Sequence, residues 1–383
     1  MNSAIDILWH INWGIGYIIT FVIFFVVSFI SEYYKTNKFI YLFLAYLILF
    51  SSTRVATAPD TRVYEHLYRH YKGLSPTTLE PGFIFISWLL NHITPNPYAL
   101  LFCYSFLTIT FVYLAIRKFT PYVKTSLFIY LTIPIQFSSS LVFIRENLAE
   151  AIMFYALSFI PEGKIKKFLF WGILSIMFHY SALIIFSVSI IVYIFFKDKF
   201  NIKLAFLSII FTFFIHMFRI DIMLIKLTFE AIYPFLLPKY QQTYALPFLE
   251  NKLKFKGFST LGIIVLDLLS ILTIYYPYKL IKKNIIPKKY IFILNLIVIG
   301  TIILNLFGME SASARLYYYF TYLITILISF ILYNASKDKM KNLVLIYSLS
   351  VFLVLWFLKG VYSRAPGTKP SSRYENIILK NML

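Results

Sequence analysis

The chain's 383 residues are 60% hydrophobic and only 14% charged, which excludes a soluble globular domain, where roughly 25% of residues are charged. A net charge of +20 would suit nucleic acid, but its placement decides against that partner. Short loops at 31–38, 117–124, 161–167, 197–203, 279–289 and 336–341 hold 19 of the 36 Lys and Arg residues against four acidic ones, the mark of cytoplasmic connections between membrane spans.

Apolar runs recur that approach the ~20 residues needed to cross ~30 Å of hydrocarbon. They predict an all-α polytopic integral membrane protein, one domain over residues 1–383, with about twelve spans. Some of these are short, broken or re-entrant, and amphipathic helices lie outside. The alternating ten-residue strands of a membrane barrel are missing from the pattern. The lone cysteine, Cys103, leaves no internal disulfide and no cysteine metal cluster. No basic n-region or small-residue cleavage site precedes the first apolar run, so no cleaved signal peptide is read.

Residues 1–13 carry no basic residue and hold Trp9 and Trp13, which suits an outer interface. Spans are predicted at about 15–30 and 39–52, followed by an external region over 53–97. Within it, residues 60–71 read as an amphipathic helix on the membrane surface, with Val63, Tyr64, Leu67, Tyr68 and Tyr71 on one face. Glu80-Pro81-Gly82 opens an apolar segment, 83–93, that is too short to cross and reads as re-entrant or interfacial. Spans follow at about 98–116, 125–138 and 141–160, with a turn at Ser138–Ser140.

The central apolar run, 168–196, contains Phe178-His179-Tyr180-Ser181-Ala182. If it crossed once, the lysines of 197–199 and 279–289 would lie outside. A break at His179 keeps every basic loop inside, although the eleven residues from 168 to 178 rise only ~16 Å. Such a break is tolerated at membrane depth where it lines an enclosed or wet cavity. Further spans are predicted at about 204–217, 259–278, 290–307, a segment ending at Tyr333, and 343–358, with 218–258 a second external loop. Both termini fall outside.

Arg145, inside Ile144-Arg145-Glu146-Asn147-Leu148-Ala149-Glu150, is expensive near a span's centre and so a functional hypothesis by default. It reads either as one half of a structural ion pair or as an anion ligand, since guanidinium pairs bidentately with phosphate. Arg315, beside three tyrosines, reads as an interfacial anchor in an aromatic belt. His179 is a hydrogen-bonded structural residue or an acid/base group that titrates near neutrality. Asp60 reads as a cap for the helix after it. Asp267 reads as a buried partner for an arginine. Glu65, His66 and His70 have ligand-like helical spacing, but lone histidine pairs in exposed loops are usually solvated, and no metal site is assigned. No Walker-type glycine loop, HExxH, GxSxG or DxD is found, so nucleotide-fuelled chemistry is not expected.

Pro59-Asp60…Tyr64, Glu80-Pro81-Gly82-Phe83, Ile144-Arg145-Glu146-Asn147-Leu148-Ala149, Phe178-His179-Tyr180-Ser181-Ala182-Leu183 and Ala314-Arg315-Leu316-Tyr317 stand in an order that resembles the EpsG-like branch of Wzy-type polysaccharide polymerases. Glu146 departs from it, standing where a glutamine is expected. The resemblance implies a bacterial inner-membrane glycosyltransferase that works without metal or cofactor. It would join oligosaccharide repeat units carried on undecaprenyl diphosphate into O-antigen, capsule or exopolysaccharide on the periplasmic face. Donor and acceptor are lipid-linked oligosaccharides, the surroundings are membrane lipids, and a chain-length regulator is an expected partner. Arg145, Arg315 and Arg62 would bind the diphosphate. His179, Asp60 or Glu80 would serve the acceptor hydroxyl, and Tyr64, Tyr240 and Tyr244 would contact sugar. The alternatives are a lipid-linked oligosaccharide flippase or other transporter, and an O-antigen ligase.

Overall fold

The computed structural model describes residues 2–53, 59–73, 79–133, 135–235, 241, 259–308 and 313–337. All of its regular elements are helices: α1 Asn2–Tyr33, α2 Lys38–Ser52, α3 Pro59–Arg69, α4 Pro81–Asn91, α5 Tyr98–Phe119, α6 Val123–Thr132, α7 Phe137–Ser140 and α8 Ile144–Leu157. They continue as α9 Ile165–Phe178, α10 Ala182–Phe196, α11 Ile202–Met217, α12 Ile220–Ile232, α13 Thr260–Lys282, α14 Ile291–Phe307 and α15 Tyr318–Lys337. The all-α membrane class expected from composition is the class observed.

Five stretches among the described residues are long and apolar enough to cross a bilayer: Gly16–Tyr33, Tyr98–Phe119, Thr260–Lys282, Lys288–Phe307 and Ala314–Asn334. A sixth arises if α11 and α12, bent by 89° at their junction, count together. The count of about twelve is not confirmed among the described residues, where several apolar helices are short. At ~1.5 Å per residue, α4, with 11 residues, and α10, with 15, rise ~16 and ~22 Å, short of ~30 Å of hydrocarbon. The predicted span at 343–358 lies outside the described residues.

The chain separates into two compact units. One comprises residues 1–155, Leu174–His179 and the described residues from Leu332 onward; the other comprises Ala156–Ile173 and Tyr180–Ile331. In the first unit α2 packs against α1 and α5, α4 against α3 and α5, and α6 against α5 and α7. In the second, α14 is central and receives α10, α11, α12 and α13, while α11 also touches α13.

The helix boundaries have local causes. Glu80 is extended and Pro81 occupies the first turn of α4, where a missing N–H costs nothing and a fixed φ helps. Asn201 caps α11, its Oδ1 accepting from the backbone N–H of Lys203 and Leu204 at 3.0 and 3.2 Å. Ser259 caps α13 by accepting from Gly262 N–H at 3.1 Å. Between α11 and α12, Arg219 takes φ 59°, the left-handed region that turns the chain sharply.

Two expectations change. The region 218–258 is not wholly loop: α12 runs over Ile220–Ile232 and ends in a 3-10 turn, Tyr233–Phe235. The amphipathic helix α3 forms as expected, but Tyr64 and Tyr68 are buried while Val63 is 51% exposed. It packs on α4 rather than presenting five apolar residues to a membrane surface. Tyr68 Oη donates to the Thr94 carbonyl at 2.6 Å, and Asn91 Nδ2 donates to the Tyr68 carbonyl at 3.0 Å.

Candidate functional site

The first unit gathers a charged cluster at the start of α4 and α8. Arg145 sits in the first turn of α8, and its Nη1 donates to Glu80 Oε2 in an ion pair. Glu80 is the residue before α4, so the proline-initiated helix start fixes where its carboxylate points. The side chains are 17% and 3% exposed, so both charges are largely removed from solvent, where unpaired charge would be costly. The guanidinium carbon lies 5.5 Å from the Tyr64 ring centroid and 5.6 Å from that of Phe83, within cation–π range. Arg145 Nε–H has no acceptor among the described residues.

Rings carry this packing inward. Tyr64 meets Phe83 at 6.0 Å, Phe83 meets Tyr104 at 6.1 Å, and Tyr104 meets Phe178 edge-on at 6.2 Å between centroids. Tyr104 is the seventh residue of α5, which puts the cluster ~9 Å along that helix from Tyr98. A Cβ at Gly82 would lie 2.8 Å from the Met177 carbonyl and 2.9 Å from the Phe178 ring, so only glycine lets α4 approach the end of α9.

That end is where the central apolar run breaks. α9 stops at Phe178, His179 N–H still reaches the Ser175 carbonyl at 3.2 Å, and α10 begins at Ala182. Ser175 Oγ donates to the Ala149 carbonyl at 2.7 Å, tying the last turn of α9 to α8. His179 follows Phe178 directly and is partly exposed. Arg145 thus touches both Glu80 and Tyr64, and His179 is one residue from a member of the ring cluster.

Residues 37–376 match the EpsG family. The chain belongs to the EpsG family. With its membrane-length apolar helices, that membership supports a transmembrane polysaccharide polymerase and a glycosyltransferase-like reaction. No curated protein and no solved structure matches the chain.

The contacts described for this cluster in the EpsG-family chain do not include the other members of the expected set. Arg315 belongs to the second unit, half-buried on the 3-10 turn Ser313–Tyr317. The backbones of Asp60 and Arg62 lie in α3, but their side chains are outside the described residues, as are Tyr240 and Tyr244 altogether. Glu146 is buried beside Arg145 in sequence. No group of three or more metal-ligating side chains is found among the described residues.

Two features had no part in the sequence reading. The outer face of α4, opposite Phe83, borders an open groove of about 690 Å³ lined by Tyr71, Lys72, Ile84, Phe85, Trp88 and His92 among others. Trp88 and His92, one turn apart, have centroids 4.8 Å apart, so the groove offers rings and a cation side by side. In the second unit His216 Nδ1 meets Asp221 Oδ2 at 3.0 Å, both residues buried. The i, i+4 spacing of Trp88 and His92 was the legible signal for the groove. The pairing across the α11–α12 elbow had none.

Proposed function

We propose that this chain polymerises oligosaccharide repeat units carried on undecaprenyl diphosphate, at the periplasmic face of a bacterial inner membrane. The observation that carries the reading is Arg145. Its guanidinium is held by one carboxylate and two rings, and its Nε–H is left without an acceptor. A diphosphate oxygen supplies such an acceptor, and a planar fork suits it.

In the reaction, the acceptor hydroxyl oxygen attacks the donor's anomeric carbon. The bond from that carbon to the phosphate oxygen breaks, and undecaprenyl diphosphate leaves with the electron pair. Arg145 stabilises the charge that grows on the leaving oxygen, an effect strongest in a dry, preorganised site. Glu80 and the Tyr64 and Phe83 rings hold the guanidinium in one orientation, so little reorganisation is needed when the donor binds. His179 takes the proton from the acceptor hydroxyl, a role imidazole serves in general base catalysis.

The test is the length distribution of surface glycan in a deletion strain complemented with wild type, Arg145→Lys or His179→Ala. Wild type restores the ladder, and both variants leave single repeat units although the protein is present. A deletion strain that accumulates no periplasmic repeat unit supports the flippase instead. Long polymer left unattached to its final carrier supports the ligase. A full ladder from Arg145→Lys overturns the guanidinium's role.

A further inference from the structure

The second unit buries a carboxylate for which the proposed reaction has no use. Asp267, the eighth residue of α13 and 6% exposed, lies ~10 Å along the helix from its start. The helices packed on α13 are α14 and α11, which present Asn305 and Thr212. Ser270 lies one turn further along α13, and Tyr317 from the 3-10 turn interacts with both Ser270 and Asp267. All these partners are neutral.

The charged groups on the same elements are engaged elsewhere or do not act on Asp267. On α11, His216 is paired with Asp221. Arg315, two residues before Tyr317, is not among the groups acting on Asp267, whose hydrogen-bond partner is Asn305. The sequence suggests an arginine partner for Asp267; the structure gives it an amide. An ionised carboxylate in this setting has no compensating cation, and at membrane depth such a group pairs, neutralises or marks function.

The Asn305 amide can meet either form of the acid. Turned one way, Nδ2 donates to both carboxylate oxygens at 3.2 and 3.1 Å, and Oδ1 accepts from Thr212 Oγ1 at 3.2 Å. Turned the other way, Nδ2 donates to Thr212 Oγ1 at 3.2 Å and to the Ile209 carbonyl at 3.4 Å. Oδ1 then faces Asp267 and gains a bond only if the acid carries a proton.

In this second arrangement Thr212 Oγ1 keeps its donation to the Ser208 and Ile209 carbonyls, at 2.9 and 3.1 Å. In the first its proton must leave them. Each form of the acid therefore meets a complementary end of the amide, and the two arrangements differ in where the Thr212 proton points. The separations of 3.1–3.2 Å are those of hydrogen bonds, and they leave no room for a metal ion between the carboxylate and the amide.

We propose that Asp267 is an intramembrane proton-binding site, and that the Asn305 amide and Thr212 hydroxyl turn together when the proton is gained or lost. One proton from water converts carboxylate to acid, and nothing else is consumed. Three helices share the network, so proton uptake biases how α11, α13 and α14 are held together. The inference goes beyond the polymerase reading and does not depend on it.

Infrared spectra of the purified protein in detergent at neutral pH test it without any activity assay. Wild type shows a carboxylic C=O band that Asp267→Asn lacks, and Asn305→Leu shifts that band to higher frequency by removing its acceptor. If Asp267→Asn removes a carboxylate band instead, the proton is not bound and the proposal fails. If Asp267→Asn does not fold, Asn305→Leu decides alone: an unmoved band overturns the pairing, and a shifted one sustains it.

Discussion

The two units each bury a carboxylate, and they meet its cost in opposite ways. At Glu80 the first unit brings up a full opposite charge, Arg145, and flanks it with the Tyr64 and Phe83 rings. At Asp267 the second unit brings up only an amide and hydroxyls. The ion pair suits a site that must receive an anion, because a guanidinium has more donors than one carboxylate can use. The amide suits a site that gains and loses a proton, because an amide turned either way can serve the charged or the neutral acid.

The largest effect should come from breaking the charged side of this comparison. Arg145→Ala leaves Glu80 buried and unpaired, a change that costs ~3–5 kcal/mol, and should abolish polymer as well as lower the unfolding midpoint. The exchange Arg145→Glu with Glu80→Arg separates the two losses. It should recover much of the stability while polymer stays absent, as judged by denaturation of purified protein beside the glycan ladder. Recovery of polymer by the exchanged pair would make the ion pair structural only.

A smaller effect is expected where the same cluster touches the end of α9. Gly82→Ala forces a Cβ to within 2.8 Å of the Met177 carbonyl, and overpacking of this kind costs ~1–3 kcal/mol. Polymer length should fall further than stability alone explains, since the shift moves Glu80 and His179 at once. A ladder that tracks stability across several unrelated core variants would show that this contact has no special bearing on the site.

Much of this was legible in the sequence because uncharged apolar runs approaching span length are the mark of helices built for hydrocarbon. The helices near 39–52, 98–116 and 290–307, and the break at His179, follow from hydropathy and the basic loops. The 218–258 region misled because its six basic residues outweigh the apolar stripe of Ile220–Ile232. The face of α3 misled in another way: periodicity gives a face but not what covers it, and α4 covers Tyr64 and Tyr68.

Glu80 and Arg145 were each singled out, one as a base and one as a phosphate ligand, but residues 65 positions apart carry no local sign that they pair. Asn305 was invisible. A neutral side chain in an apolar helix leaves no trace in charge or hydropathy, and its role is set by Asp267 across the helix interface.

The smallest effect should come from Asp267→Asn, and its size is what tests the comparison. If Asp267 holds a proton, the new amide donates to Asn305 Oδ1 in place of the acid's hydroxyl. The Thr212 and Ile209 bonds stay as they are, and the shape is nearly unchanged. Stability should move by about 1 kcal/mol or less, the net worth of one hydrogen bond. Asp267→Ala should cost ~1–3 kcal/mol, because the Asn305 carbonyl oxygen is then buried without a donor. A loss for Asp267→Asn as large as that of Arg145→Ala would show that a full charge had been removed from a paired site. The two units would then bury their carboxylates by the same means, and the amide at Asn305 would be no more than a neighbour.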